Sequence, residues 1–338
     1  MNMILPVQHA GSLIREQTKS GKFLIDIYTK QGVNMKKINN VAIVGMGALG
    51  MLYGSMITDT LGIESVTYIL DDDRFYRYKE RTFTVNGAPF HPQFEKANDA
   101  KPYDLVIVAV KYNGLDSALD TMKNCIGPDT IIMSVMNGMI SEEIIAQRYG
   151  MENIVYTVVQ GMDAQHSEGT LGYTQKGVVC IGPVKGQTRD NTDAVADFLT
   201  RANVAHQVEE NILYRMFCKW MLNVGVNQTC MVFDASYNEC LTIPEAYDVL
   251  CKSMREVIAL SPHFDLNLGE EEFEFYMQII RNMNPDGFPS MEQDRRAKRL
   301  SEVEMFAGSV IKYGEKYGVD VPVNKWLYEE VKKIEAGY

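Results

Sequence analysis

The sequence is poor in the residues that usually build covalent or metal frameworks. Its six cysteines, Cys125, Cys180, Cys218, Cys230, Cys240 and Cys251, form no CxxC pair and no zinc-ligand spacing. Cys180 sits in an apolar run, Val178-Val179-Cys180-Ile181, so the thiols read as buried groups in a reducing cytosol rather than as a disulfide framework. The five histidines, His9, His91, His166, His206 and His263, are equally dispersed, and no metal site is expected. No apolar run approaches the ~20 residues that a bilayer span requires. Positive charge is also short: 33 Lys and Arg against 44 Asp and Glu leave a net charge of −11, which argues against a nucleic-acid partner. The first 34 residues have no apolar signal core, and Glu16 and Asp26 are out of place in a transit peptide. Residues 1–34 are therefore read as an extension, and the protein as soluble and cytoplasmic.

What is present is ordinary globular material, 46% apolar and 23% charged over 338 residues, long enough for two domains. From residue 38 short β-branched runs alternate with helical stretches. Val41–Val44, Val66–Leu70, Leu105–Val110 and Ile131–Val135 read as strands, and the nearly continuous apolarity of the third suits a parallel strand buried on both faces. Residues 154–184 read as glycine-punctuated hairpins extending the sheet. After about residue 208 helical periodicity takes over, in 209–232, 244–260, 269–283, 293–317 and 324–335. The pattern predicts an α/β fold, with a doubly wound parallel sheet in 35–208 followed by an all-α domain in 209–338. Neither an internal repeat nor a low-complexity tract is visible.

Two stretches carry chemistry in the first half. "VAIVGMGALG" sets Gly45, Met46, Gly47, Ala48, Leu49 and Gly50 as G-x-G-x-x-G between a strand and a helix. Gly45 permits the tight turn, Gly47 lets a pyrophosphate approach the backbone, and Gly50 allows close helix–sheet packing. The following strand ends in "LDDDR", with Asp71 placed 21 residues after Gly50, near where an acid bonds the ribose 2′-hydroxyl of NAD. A carboxylate there repels a 2′-phosphate, so NADH is expected over NADPH, while Arg74 keeps the second possibility open. Asp72 and Asp73 read as solvated loop acids.

In the second half, Lys219, Asn223 and Asn227 recur at i, i+4 and i+8 within "FCKWMLNVGVNQTC", a polar row on one helix face. Such a row needs partners; alternatively Lys219 snorkels to solvent and the asparagines bond a loop. In "FPSMEQDRRAKRLSEVEMFAG" the basic residues Arg295, Arg296, Lys298 and Arg299 read as a solvated helix face. Glu302, beside Val303 and Met305-Phe306, is a candidate for a cleft.

Taken in order, "VGMGALG", "VKYNGLDSAL", "MNGM", "KWMLNVGVN" and "SMEQDRRAKRLSEVE" resemble the ketopantoate reductases (2-dehydropantoate 2-reductases), over roughly residues 38 to 335. The resemblance implies a Rossmann-type N-terminal domain, a helical C-terminal domain and an active site in the cleft between them. It implies Lys219 as general acid, Asn223 and Asn227 as substrate-orienting groups, Glu302 as the acidic partner that accepts from the substrate hydroxyl or helps position Lys219, and Ser290 as a hydroxyl that helps hold the substrate carboxylate. It also implies that Lys111 and Asn137 lie near nicotinamide and substrate. The sequence departs from the family pattern at Gln228, where proline is frequent, at Ile140, and at Tyr237, where a substrate-contacting asparagine is expected.

The implied activity is NAD(P)H-dependent reduction of 2-dehydropantoate to (R)-pantoate, on the route to pantothenate and coenzyme A. The Tyr237 region motivates an alternative, a dehydrogenase for another D-2-hydroxy acid. A dinucleotide-binding regulator without catalysis is a third reading, opposed by the joint presence of Lys219, Asn223, Asn227, Ser290 and Glu302. A small 2-keto acid is the expected partner, and a homodimer is compatible with the apolar helical domain.

Overall fold

Val41-Ala42-Ile43-Val44 has no exposed position, because both faces of this strand, β1 (Val41–Val44), are covered. The chain then turns at the glycines into α1 (Ala48–Leu61), returns as β2 (Val66–Leu70) and enters the short α2 (Asp72–Lys79). β3 (Phe83–Val85), β4 (Ala88–Phe90) and β5 (Gln93–Lys96) follow, then β6 (Leu105–Val108), α3 (Leu115–Thr121), β7 (Ile131–Ser134) and α4 (Ser141–Tyr149). β8 (Ile154–Met162), β9 (Gln165–Ser167), β10 (Thr170–Gly172), β11 (Lys176–Gly182), α5 (Asp190–Arg201) and β12 (His206–Val208) complete the strand-bearing half. The helical half comprises α6 (Ile212–Phe233), α7 (Tyr237–Thr242), α8 (Pro244–Leu260), α9 (Glu270–Arg281), α10 (Ser290–Arg296), α11 (Ala307–Tyr317) and α12 (Pro322–Glu335). This computed structural model describes residues 36–338. The extension expected over 1–34 lies outside the described residues.

The main sheet has the order β12-β11-β8-β7-β6-β1-β2-β5. It is parallel from β5 to β8, whereas β11 runs antiparallel to β8. The chain leaves β1 toward β2 on one side and later starts β6 on the other, so the ends of β1 and β6 flank a crevice where ligands bind in such sheets. A second sheet, β4-β3-β10-β9, was not anticipated. All four of its strands come from the 154–184 or 83–90 segments in three-residue pieces, too short for a period-2 pattern to register.

One apolar cluster contains both sheet residues such as Val106, Val108 and Ile132 and helical-half residues such as Trp220, Met254 and Tyr313. Apolar packing therefore crosses the β12–α6 junction, where a domain boundary was expected. The stretch 293–317, read as one helix, is two: α10 ends at Arg296 and α11 begins at Ala307. Lys298 adopts φ +50°, and Ser301 is drawn aside by Glu335, which accepts its N–H at 2.8 Å and its hydroxyl at 2.6 Å. The break leaves Glu302 on irregular backbone, at the start of a single 3₁₀ turn over Val303–Met305. Among the described residues no helix is long and apolar enough to cross a membrane. All six cysteines are free and buried.

The glycine requirement at α1 is testable. A Cβ on Gly50 would lie 2.0 Å from the Gly45 carbonyl oxygen, and the Gly50 carbonyl accepts the buried Tyr68 hydroxyl at 2.9 Å. Gly50→Ala is expected to destabilise the protein by ~1–3 kcal/mol through overpacking. Urea unfolding reads this out, and an unchanged midpoint would mean that the turn relaxes freely.

Candidate active site

The crevice is a cleft of about 490 Å³ running from the glycine turn to the helical half. At the turn, Gly45 has φ +107°, and a Cβ there would meet the Ala109 carbonyl oxygen at 2.5 Å. Gly47 differs: its nearest neighbour would stand 4.0 Å away, so the backbone is open on the cleft side. Gly47 caps α1 without any side-chain bond, and the first intrahelical acceptor is its own carbonyl, from Met51 N–H at 2.9 Å. The N–H groups of the first turn are thus left for an anion, favoured further by the helix dipole. Gly45, Met46, Gly47, Ala48 and Leu49 line the cleft and Gly50 packs beneath them. This is a cradle that fits a dinucleotide pyrophosphate.

Asp71 follows β2 and caps α2, accepting the Arg74 N–H at 2.7 Å. It also forms an ion pair with the Arg74 guanidinium. Both line the cleft, beside Tyr78. Asp72, read as a plain solvated acid, is exposed but pairs with Lys96 at 3.1 Å.

At the other end three distant segments meet. Lys219 on α6 donates from Nζ to Oδ1 of Asn137 at 2.8 Å, and Asn137 donates from Nδ2 to Oε2 of Glu302 at 2.9 Å. Burial pushes the Lys219 ammonium down to about 8, against the opposing pull of Glu302. Burial likewise raises the Glu302 carboxyl, against the hydrogen bond from Asn137 and the charges of Lys111 and Lys219. The snorkelling alternative for Lys219 does not hold. Further along α6, Asn227 donates to Asn223 at 3.3 Å and accepts the Ser290 hydroxyl at 2.9 Å and the Met291 N–H at 3.4 Å. Lys111, beyond the end of β6, lines the cleft with Asn137, Ser290 and Glu302.

Some neighbours were not anticipated. Asp294 is buried and accepts from Lys111 Nζ at 2.7 Å and Arg299 Nε at 2.9 Å; its partner Lys111 is 183 positions away, so no local pattern reveals it. His166, Met162 and Ala164 line the cleft from the β8–β9 segment. The reading of the basic run as a plain solvated face needs correction. Arg296, Lys298 and Arg299 are exposed, but Arg296 holds buried Glu292 at 2.7 Å and Arg295 pairs with Asp234 at 2.5 Å. Tyr237 does not line the cleft; its ring lies 3.3 Å from where a Gly287 Cβ would be. Among the described residues no cluster of three or more His, Cys, Asp or Glu is arranged to hold a metal.

Asn137 serves both charged groups at once, so Asn137→Ala should leave Lys219 without its acceptor and Glu302 without its donor. The expected loss is ~1–3 kcal/mol per orphaned group. Thermal unfolding would register it, and an unchanged midpoint would mean that water replaces the amide at no cost.

Comparison with known proteins matches both halves of the chain to one family. The description "Ketopantoate reductase PanE/ApbA" matches residues 41–186, and its C-terminal counterpart matches residues 211–335. The 2-dehydropantoate 2-reductase of Streptococcus pyogenes serotype M6 is 26% identical over 306 residues, covering 88% of this chain and 98% of its own. That of Archaeoglobus fulgidus is 24% identical over 306 residues, covering 89% and 99%. Among solved structures, D-mandelate dehydrogenase with NADH and anilino(oxo)acetate shares the fold at TM-score 0.78 and 23% identity, covering 88% of this chain and 98% of that one. A 2-dehydropantoate 2-reductase from Geobacter metallireducens does so at TM-score 0.77 and 22% identity, covering 87% and 99%. With both halves matched, with the glycine turn, Asn137 and Glu302 lining one cleft and Lys219 hydrogen-bonded to Asn137, the chain belongs to the ketopantoate reductase family of oxidoreductases.

Proposed function

We propose that this chain reduces 2-dehydropantoate to (R)-pantoate with a nicotinamide cofactor, Lys219 being the general acid. The observation that carries the reading is the Lys219–Asn137–Glu302 chain of hydrogen bonds on the cleft that begins at the glycine turn. When bound, with its pyrophosphate on the α1 turn at Gly45–Leu49, a reduced nicotinamide supplies hydride. The protein's own task is the proton. As the ketone oxygen gains negative charge, the Lys219 ammonium stabilises it and then protonates it. Asn137 aims that ammonium, and Glu302 favours its protonated form by charge. Ser290 lines the cleft and would offer its hydroxyl side to the substrate, backed by Asn227, which accepts that hydroxyl and donates to Asn223.

The cofactor reading favours NADH. Asp71 puts a carboxylate at the end of β2, and its ion pair with Arg74 already engages the guanidinium that would otherwise meet a 2′-phosphate. Initial rates with 2-dehydropantoate, NADH and NADPH in parallel test this: NADH should give the higher kcat/KM, and Asp71→Ser should shift the ratio toward NADPH. NADPH outperforming NADH at equal concentration would reject it. On the example of the dimeric ketopantoate reductase of Staphylococcus aureus, a homodimer belongs to this reading.

A second reading, a dehydrogenase for another 2-keto acid, draws support from the D-mandelate dehydrogenase fold. A panel of branched and aromatic 2-keto acids separates the two by kcat/KM. A noncatalytic regulator would show no turnover with any of them.

Two outcomes follow for Lys219. Lys219→Ala should bind cofactor normally yet lose ~10²–10⁴ in kcat. Reduction requires the protonated amine, whose pKa is lowered to about 8. Its kcat/KM should therefore be level below that pH and fall above it, while oxidation of the hydroxy acid should rise over the same range. Stopped-flow rates from pH 6 to 10 check the sign; a flat profile in both directions would remove Lys219 as the acid.

A further inference from the structure

Three polar side chains are buried where the turn bearing Asn137 leaves the sheet, and nothing in the proposed chemistry uses them. β7 ends at Ser134 and α4 begins at Ser141, with Asn137 in the turn between. Ser134, Ser141 and Glu142 are all buried, a costly place for polar groups without partners. The Ser134 hydroxyl donates to Ser141 Oγ at 3.0 Å, across seven positions of chain. The Ser141 hydroxyl donates in turn to Oε2 of Glu142 at 2.7 Å. Ser134 Oγ also accepts the Met136 N–H at 3.4 Å. The two feet of the turn are therefore tied to each other. Burial pushes the Glu142 carboxyl up to about 7, opposed by the Ser141 hydroxyl and by the backbone at Glu142 and at Thr157 of β8. An oxygen remains to accept the Ser141 hydroxyl in either protonation state.

The closed neck matters because of what the Asn137 side chain touches. It bonds Lys219 at 2.8 Å and Glu302 at 2.9 Å, both on the helical half. Among the described residues no hydrogen bond joins that side chain to the strand-bearing half, so its placement is left to the backbone of the turn. α4 has a separate tie to the helical half, the Tyr313 hydroxyl donating to Oε1 of Glu143 at 2.9 Å. That bond lies outside the neck. A turn free to shift would carry the amide away from Nζ, and hydrogen bonds weaken steeply as their geometry degrades. The charged form of Lys219 would then lose an acceptor that favours it, and proton delivery would lose its alignment.

We propose that the Ser134–Ser141–Glu142 chain positions Asn137, and through it the ammonium of Lys219, with Ser141 as the positioning residue that both bonds share. This rests on the reading of Lys219 as the general acid of a 2-keto acid reductase. Steady-state kinetics across pH with 2-dehydropantoate and NADH test it in wild type, Ser141→Ala, Asn137→Ala and the double variant. Tyr313→Phe is the control that loosens α4 outside the neck, and cofactor affinity is measured separately by quenching of protein fluorescence. Ser141→Ala should lower kcat about tenfold, the scale of one buried hydrogen bond, with cofactor affinity at the wild-type value. The pH above which kcat/KM for reduction falls should move down by about one unit, because an ammonium with a poorer acceptor gives up its proton more readily. Adding Ser141→Ala to Asn137→Ala should cost nothing more in kcat, since the neck would have lost the amide it positions. Tyr313→Phe should leave kcat and the pH of that fall as in wild type. The proposal is overturned if Ser141→Ala leaves kcat unchanged or the fall at its wild-type pH. It is overturned equally if kcat and cofactor affinity drop together, if the Ser141 and Asn137 losses multiply, or if Tyr313→Phe reproduces the Ser141→Ala change. Wild type that reduces no 2-keto acid would instead defeat the functional reading, and the proposal with it.

Discussion

The arrangement of the cleft depends on giving a buried ammonium an acceptor. Lys219 lies on a helix whose neighbouring positions Met216, Phe217, Trp220 and Met221 are core, and an unpaired charge there would be expensive. The acceptor comes from the β7–α4 turn, and the same amide passes the constraint on to Glu302. The three segments are held in register by the Met305 carbonyl oxygen. It accepts the Trp220 indole N–H at 3.2 Å and the Ser309 hydroxyl at 2.7 Å. Gly138, at φ +91°, approaches so closely that a Cβ would sit 2.9 Å from that oxygen. Glycine beside Asn137 is therefore a packing requirement of the β7–α4 turn, as much as Gly45 is at the other end.

Charge along the cleft is arranged against the trend of the whole molecule. A net charge of −11 repels anions at long range, yet dinucleotides and keto acids are anionic. The structure answers locally. The start of α1 offers backbone N–H groups without a side-chain charge, Lys111 lines the cleft toward the helical half, and Lys219 is bonded to Asn137 of the cleft wall. Each ammonium is restrained by a neutral or acidic partner, Asn137 in one case and Asp294 in the other. Burial leaves Lys219 with a lowered pKa, against the opposing charge of Glu302.

How much of this could be read from sequence depends on the range of the interactions. β1, β2, β6 and β7 were legible because strands covered on both faces write continuous apolar runs. The glycine turn was legible because its steric demands lie within a few residues. Lys219, Asn223 and Asn227 stood out as a polar row in an apolar helix. Asp294 did not, since "DRRAKR" looks solvated until Lys111 is brought beside it from β6. The break at 297–306 was hidden for a similar reason: Ser301 finds its partner in Glu335 of the last helix, and local propensity through that stretch favours continuing the turn. The short strands of the second sheet are set by pairing across the chain, as between β10 and β3.

Gln228 shows how a departure from the family pattern can be absorbed. Where proline is frequent, this chain has a fully buried amide that must satisfy both of its ends. Its Nε2 donates to the Val224 carbonyl at 2.8 Å and to Asn324 at 3.3 Å, and its Oε1 accepts the Ala307 N–H at 2.9 Å. The last bond occupies an orphan donor in the first turn of α11. It ties the start of that helix to α6 only one position past Asn227, and the anchored backbone at Ala307 lies five residues after Glu302. Asn324 in turn donates to Glu256 at 2.7 Å, whose Oε1 accepts the Val323 N–H at 2.8 Å. The amide thus ties α6 through space to the segment that carries the acidic neighbour of Lys219.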